Sequence, residues 1–209
     1  MVKLKLQSLF AWSSRFKLRQ FYLLYKWVLS GYSQPSPWIV KMKVLRRHMI
    51  RDALFVETGT YFGDTALFMS DYSNQIITIE PDKKLFEKSK LRLAHKKNIQ
   101  VINISSENYF YNIGNFSGEI NFWLDGHFSG EGTFMNKLES PIRYELSEIE
   151  KNLGKFSKMV VLVDDFRLFG DDYDLAMSYP KKSFLVDWSV KNGFFWTVEN
   201  DIFIAKNFL

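Results

Sequence analysis

The sequence predicts an α/β fold: a mostly parallel sheet of seven strands with helices on both faces, a C-terminal antiparallel hairpin, and a basic helical N-terminal extension. Three observations predict it. From Ala53 onward, short apolar runs alternate with amphipathic stretches, the pattern of parallel strands joined by right-handed crossover helices. The first apolar run leads into Glu57-Thr-Gly-Thr-Tyr-Phe-Gly-Asp-Thr65, a glycine turn between a strand and a helix. Open α/β sheets hold nucleotide-like ligands at that turn. Near the C-terminus, two apolar runs flank Glu199-Asn-Asp201, a short polar turn suited to an antiparallel hairpin.

The elements follow in order. Leu9, Phe10, Phe16, Phe21, Leu24, Trp27 and Val28 recur at helical spacing with basic residues between them. Gly31-Tyr-Ser-Gln-Pro-Ser-Pro37 breaks that helix by its turn residues, and Trp38 to Arg51 reads as a second basic amphipathic helix. Strands are expected at 54–56, 75–79, 99–102, 120–124 and 159–163. Helices are expected at 64–72, 83–95, 106–113 and 135–152. The hairpin strands fall at 194–198 and 202–205.

A chain of 209 residues suffices for one α/β domain with some added length. At 46% hydrophobic and 17% aromatic it is a globular composition, not that of a disordered chain. The absence of cysteine removes disulfides, thiolate nucleophiles and cysteine zinc sites, and it suits a cytoplasmic setting. The net charge of +5 is unevenly spread. Residues 1–50 hold ten Lys or Arg and no Asp or Glu, whereas the rest holds 18 basic against 23 acidic residues. Such a leader calls for an anionic partner, a membrane surface among them, or else packs on the core or on a second copy of the chain. The apolar run Phe21 to Leu29 contains Lys26 and falls short of the roughly 20 residues a membrane span needs. No long apolar segment with a small-residue cleavage site follows the first lysines.

The glycine turn discriminates between ligands. A dinucleotide fingerprint requires G-x-G-x-x-G, but this chain has Gly59 and Gly63 with Tyr61 between them. The second strand ends at Glu80, about 20 residues on, where an acidic side chain can accept from ribose hydroxyls. The third is followed by Ser105-Ser106-Glu107, a helix cap and a polar edge for a base. Glu57, Gly59, Tyr61, Gly63 and Thr65, then Glu80, then Ser105 and Ser106, resemble class I S-adenosylmethionine-dependent methyltransferases, most closely the small-molecule O-methyltransferases of the catechol and macrocin type. The resemblance covers residues 50–209 and implies a Rossmann-like methyltransferase domain over 51–209, with residues 1–50 as an extension. It implies that the turn, including Thr60, holds the methionine moiety, Glu80 the ribose and Ser106 the adenine edge, with Asp125 also lining the cofactor site.

The fourth strand runs into Asp125-Gly-His127 and the fifth into Asp164-Asp165. Three carboxylates at adjacent strand ends repel one another unless a cation sits among them. Oxygen ligands select a hard ion, with Mg²⁺ the first choice and Ca²⁺ or Mn²⁺ alternatives. The resemblance implies the same: Asp125, Asp164 and Asp165 match the metal-binding positions of those enzymes. The alternative is an Asp-Asp pair capping the next helix. His127 is the candidate general base, with substrate contact or metal ligation as its other roles. Catechol-type enzymes use a lysine near this point, and no lysine follows Asp125 until Lys137. Arg167, directly after the aspartate pair, is placed to meet an anionic substrate.

The reading is therefore a methyltransferase that uses S-adenosylmethionine and a divalent metal to methylate a hydroxyl of a small molecule. A sugar or nucleotide-sugar is favoured, on a chain that is cytoplasmic, touches membranes through its leader or forms a homo-oligomer. Two other enzymes stand beside it: a nucleic-acid methyltransferase using the basic leader, and a nicotinamide-dependent oxidoreductase. Against nucleic acid, strand four ends in Leu-Asp-Gly-His and lacks the Asn/Asp-Pro-Pro-aromatic signature of base amino methyltransferases.

Overall fold

The computed structural model describes residues 14–125, 140–170 and 179–209. His127, the rest of the Asp125–Thr133 loop beyond Asp125, and the expected start of a helix at Met135 lie outside the described residues.

Two helices come first, α1 (Ser14–Leu29) and α2 (Trp38–His48). The sheet and its crossovers follow as β1 (Leu54–Thr58), α3 (Asp64–Met69), β2 (Gln75–Ile79), α4 (Lys83–Leu93), β3 (Ile99–Ile102), α5 (Ser106–Phe110), β4 (Glu119–Leu124), α6 (Ile142–Lys151), β5 (Lys158–Val163), α7 (Lys182–Lys191), β6 (Phe195–Glu199) and β7 (Ile202–Lys206). Expected helices at 64–72, 83–95 and 106–113 are each shorter, because turns or a 3₁₀ segment at Ile113–Asn115 end them. A helix absent from the expected set is α7, whose Leu185 and Trp188 are buried.

The seven strands lie in the order β3-β2-β1-β4-β5-β7-β6, parallel from β3 to β5. β7 pairs antiparallel with both β5 and β6. Asn200 and Asp201 both take positive φ, 49° and 70°, the backbone of a two-residue primed turn whose twist matches the flanking strands. The expected hairpin is present, with β6 shifted by one residue and β7 longer by one.

Alternation along the central strands sorts their side chains to two faces. Val56, Phe122 and Val161 join one core beneath α5, α6 and α7. Phe55, Trp123 and Val160 join the other, beneath α3 and α2. Met42, Val44 and Leu45 of α2 are at most 1% exposed, so this half of the leader is core material. Strand order reverses between β1 and β4, and the crevice at the carboxyl ends of those strands is where such sheets bind ligands. Among the described residues no helix is long and apolar enough to cross a membrane.

Candidate active site at the carboxyl edge of the sheet

The turn after β1 is held by its neighbour strand. Gly59 and Thr60 donate their backbone N–H groups to the Ile79 carbonyl, at 3.0 and 3.1 Å, and Gly63 donates to Thr60 at 2.7 Å. Gly59, Tyr61 and Gly63 all have positive φ. Gly63 caps α3 at φ +77°, and a Cβ there would lie 2.7 Å from Cδ1 of Leu93 on α4. Backbone conformation and space together demand glycine at that position.

Glu80, at the end of β2, reaches this turn. One carboxylate oxygen accepts the Tyr61 N–H at 2.8 Å and the other accepts the Asp82 N–H at 3.0 Å. Two backbone donors leave half of its acceptor sites for a ligand. Burial raises the Glu80 carboxyl above its ordinary range, and the two backbone bonds only partly oppose it. Asn103, after β3, donates to the Glu80 carbonyl at 2.7 Å and so ties a third strand end to the same edge. Ser105 caps α5, and Ser106 beside it is buried.

Beneath the turn lies a buried polar chain. Thr60 and Thr78 hydroxyls are 2.6 Å apart, and Thr78 donates to Glu57 at 2.6 Å. Glu57 is 1% exposed. Burial raises its carboxyl well above the ordinary range, beyond what the Thr78 bond offsets, and the charges of Asp125, Glu80 and Asp64 add to the rise. Thr58 accepts the Asp125 N–H at 3.2 Å, which fixes the end of β4 to the end of β1.

The aspartate pair has a different partner from the one expected. Lys41 of α2 places its Nζ 2.7 Å from the carboxylates of both Asp164 and Asp165. Burial alone would lower the Lys41 pKa, but the two aspartates outweigh it and the net effect is a rise. Asp165 also takes Arg167 at 2.6 Å, and Arg167 continues to Asp201 in the hairpin turn. Asp165 adopts φ +52° and opens a single 3₁₀ turn at Phe166–Leu168, not a helix. Tyr179 faces the same carboxylates. Its phenol is raised first by burial and then by Asp165, Asp125 and Asp164.

Asp125, Asp164 and Asp165, expected to hold Mg²⁺, thus stand at one sheet edge with Lys41 and Arg167 against the aspartate pair. Among the described residues no group of three His, Asp or Glu side chains converges as a ligand set. The charge balance comes from an ammonium and a guanidinium of the chain itself, and an ion seated at the pair would have to displace both. Arg167, expected at an anionic substrate, pairs with Asp165 and Asp201. Thr65, expected at the cofactor, accepts from the Trp38 indole at 3.4 Å on the α2 side.

Lys41, Thr78, Tyr179 and Asp201 join this edge without a motif that marks them in the sequence. Lys41 has no local signal: it is one of ten basic residues in the leader. Thr78 sits inside an apolar strand, two residues before Glu80, which was the only hint available.

Comparison with protein-family models and with curated proteins gives no match. Solved structures do match. A candidate rRNA methylase from Clostridium thermocellum superposes with a TM-score of 0.52 at 10% identity, over 79% of this chain and 93% of its own. The YcgJ protein of Bacillus subtilis superposes at 0.50 with 15% identity, over 75% and 68%. The chain has the Rossmann-like methyltransferase fold. The crevice at the carboxyl ends of β1 and β4 lies where the strand order reverses. The glycine turn, Glu80, Asp125 and the Lys41-bridged aspartates all lie along it.

Proposed function

We propose that this chain is an S-adenosylmethionine-dependent methyltransferase that transfers a methyl group to a hydroxyl of a small molecule, a sugar or glycan precursor in preference to a phenol. The observation that carries it is the Glu80 carboxylate clamped to the Tyr61 N–H across the ends of β1 and β2. It supports the reading of Glu80 as the acceptor for a ribose diol, beside a glycine turn that Tyr61 makes too bulky for a dinucleotide pyrophosphate.

The residues present fit the cofactor. Glu80 accepts from the ribose hydroxyls, the Gly59–Gly63 turn receives the methionine end, and Ser106 borders the adenine. When bound, S-adenosylmethionine supplies an electrophilic methyl carbon on a sulfonium, and the thioether leaves as that carbon–sulfur bond breaks. The chain's task is to orient the acceptor oxygen in line and take its proton. Asp125, fixed by Thr58, orients the hydroxyl, and His127, two residues further on, takes the proton. The charged cluster of Lys41, Asp164, Asp165 and Arg167 forms the wall on the β5 side, and Tyr179 closes it.

The test is methyl transfer from labelled S-adenosylmethionine to a panel of nucleotide sugars, phenols and RNA, with and without EDTA. Transfer to a nucleotide sugar is expected, and its loss with EDTA would show that a divalent ion takes part. Binding of NAD(H) with no binding of S-adenosylmethionine would sink the proposal. RNA is the second reading, favoured by the rRNA methylase description of the Clostridium thermocellum neighbour and by the basic leader. Salt-sensitive methylation of RNA with no transfer to sugars or phenols would establish it.

A further inference from the structure

The outer face of α1 has no role in the site. At 100° per residue, Leu18, Phe21, Tyr22, Tyr25, Val28 and Leu29 fall within an arc of about 120°. All six are between 45% and 68% exposed. Lys26 and Arg19 border this arc on one side and Lys17 on the other. The opposite face is already used. Phe16 packs edge-on against Trp38 of α2 at 5.7 Å, Gln20 is buried, and Trp27 meets Tyr32 at 4.9 Å. So α1 is anchored by one face and presents the other, an apolar stripe with basic margins.

We infer that this stripe docks on an anionic lipid surface. Aliphatic and aromatic side chains enter the boundary between headgroups and acyl chains, tyrosines suit that boundary, and flanking lysines and arginines extend to lipid phosphates. Charge complementarity selects this occupant. α1 carries Lys17, Arg19 and Lys26 along the stripe and no acidic residue, while the chain beyond residue 50 is net acidic and is repelled by the same surface. A second copy of α1 would oppose Lys17, Arg19 and Lys26 to themselves with no acid nearby. Single-stranded RNA stacks on aromatic faces interleaved with basic groups, whereas Leu18, Val28 and Leu29 offer it no ring. The inference is independent of the methyl-transfer reading.

The experiment is co-sedimentation of the full chain with phosphatidylcholine vesicles, with and without about one third phosphatidylglycerol. Binding only to the anionic vesicles is expected. Partition should weaken roughly fivefold for each of Lys17, Arg19 and Lys26 changed to Gln. The variant carrying Leu18→Ser, Tyr25→Ser and Leu29→Ser should lose binding with an unchanged melting curve, since all three are exposed. No binding to anionic vesicles, or binding that survives the triple Ser variant, overturns the inference. So does a concentration-dependent dimer that the triple variant abolishes, or retention on RNA without retention on vesicles.

Discussion

Lys41 is the residue on which the site's electrostatics turn. Two buried carboxylates share its ammonium, and removing it takes a close cation from both at once. Breaking a buried pair from one side costs about 3 kcal/mol or more. Lys41→Met should therefore lower the melting temperature by roughly 10 °C in a chain of this size. Because the folded pKa of Lys41 lies above its ordinary 10.5, its contribution is complete below that value and fades only as pH rises through the folded pKa. The wild-type and variant melting temperatures should run parallel from pH 6 to pH 9. Glu57 behaves in the opposite sense. Its raised folded pKa makes the native state take up a proton, so its stabilising share is complete below the ordinary 4.5 and is lost as pH rises toward the folded value. Glu57→Gln keeps an acceptor for Thr78 and removes that dependence. The variant should be more stable than wild type at pH 8, by about 1.4 kcal/mol for each tenfold rise in the wild-type group's proton affinity, with the gain vanishing near pH 4. Gly63→Ala forces a Cβ into Leu93 at positive φ and should cost about 2 kcal/mol, read by denaturant melts.

At the scale of elements, α2 matters more than its place in a basic leader suggests. Its buried Met42, Val44 and Leu45 cover one face of the sheet, Lys41 reaches the aspartates, and Arg47 and His48 hold Glu199 at 2.6 and 2.8 Å. Deleting residues 1–30 should leave a cooperative melt, whereas deleting residues 1–50 should abolish it. The strands were legible because burial on both faces writes itself as unbroken apolar runs, and the hairpin because Asn200-Asp201 tolerate positive φ. Glu80 was legible too, since its distance from the glycine turn is set by one crossover. The partner of the aspartate pair was not legible. A lysine 123 residues away leaves no periodic trace, and like charges on adjacent strand ends call equally for a metal ion or an ammonium. The helix α7 was missed because its apolar residues do not concentrate on one side.

For the whole molecule, a ligand that binds only the folded state raises its stability. S-adenosylmethionine at a hundredfold excess over its dissociation constant should add about 2.7 kcal/mol, and NAD(H) nothing, in a thermal-shift assay. The edge that holds this site is tied by the segment ahead of α2 to the hairpin turn. Ser36, ahead of α2, donates to the Asn200 carbonyl at 2.8 Å across a separation of 164 residues. Asp201 in the same turn accepts the backbone N–H of Arg167 at 2.7 Å and holds its guanidinium. On the ribosome α2 emerges well before the hairpin turn that receives it. α2 must therefore wait through the synthesis of the sheet with Val44 and Leu45 uncovered, and the loop closed by Ser36 and Asn200 makes its docking a late step of folding.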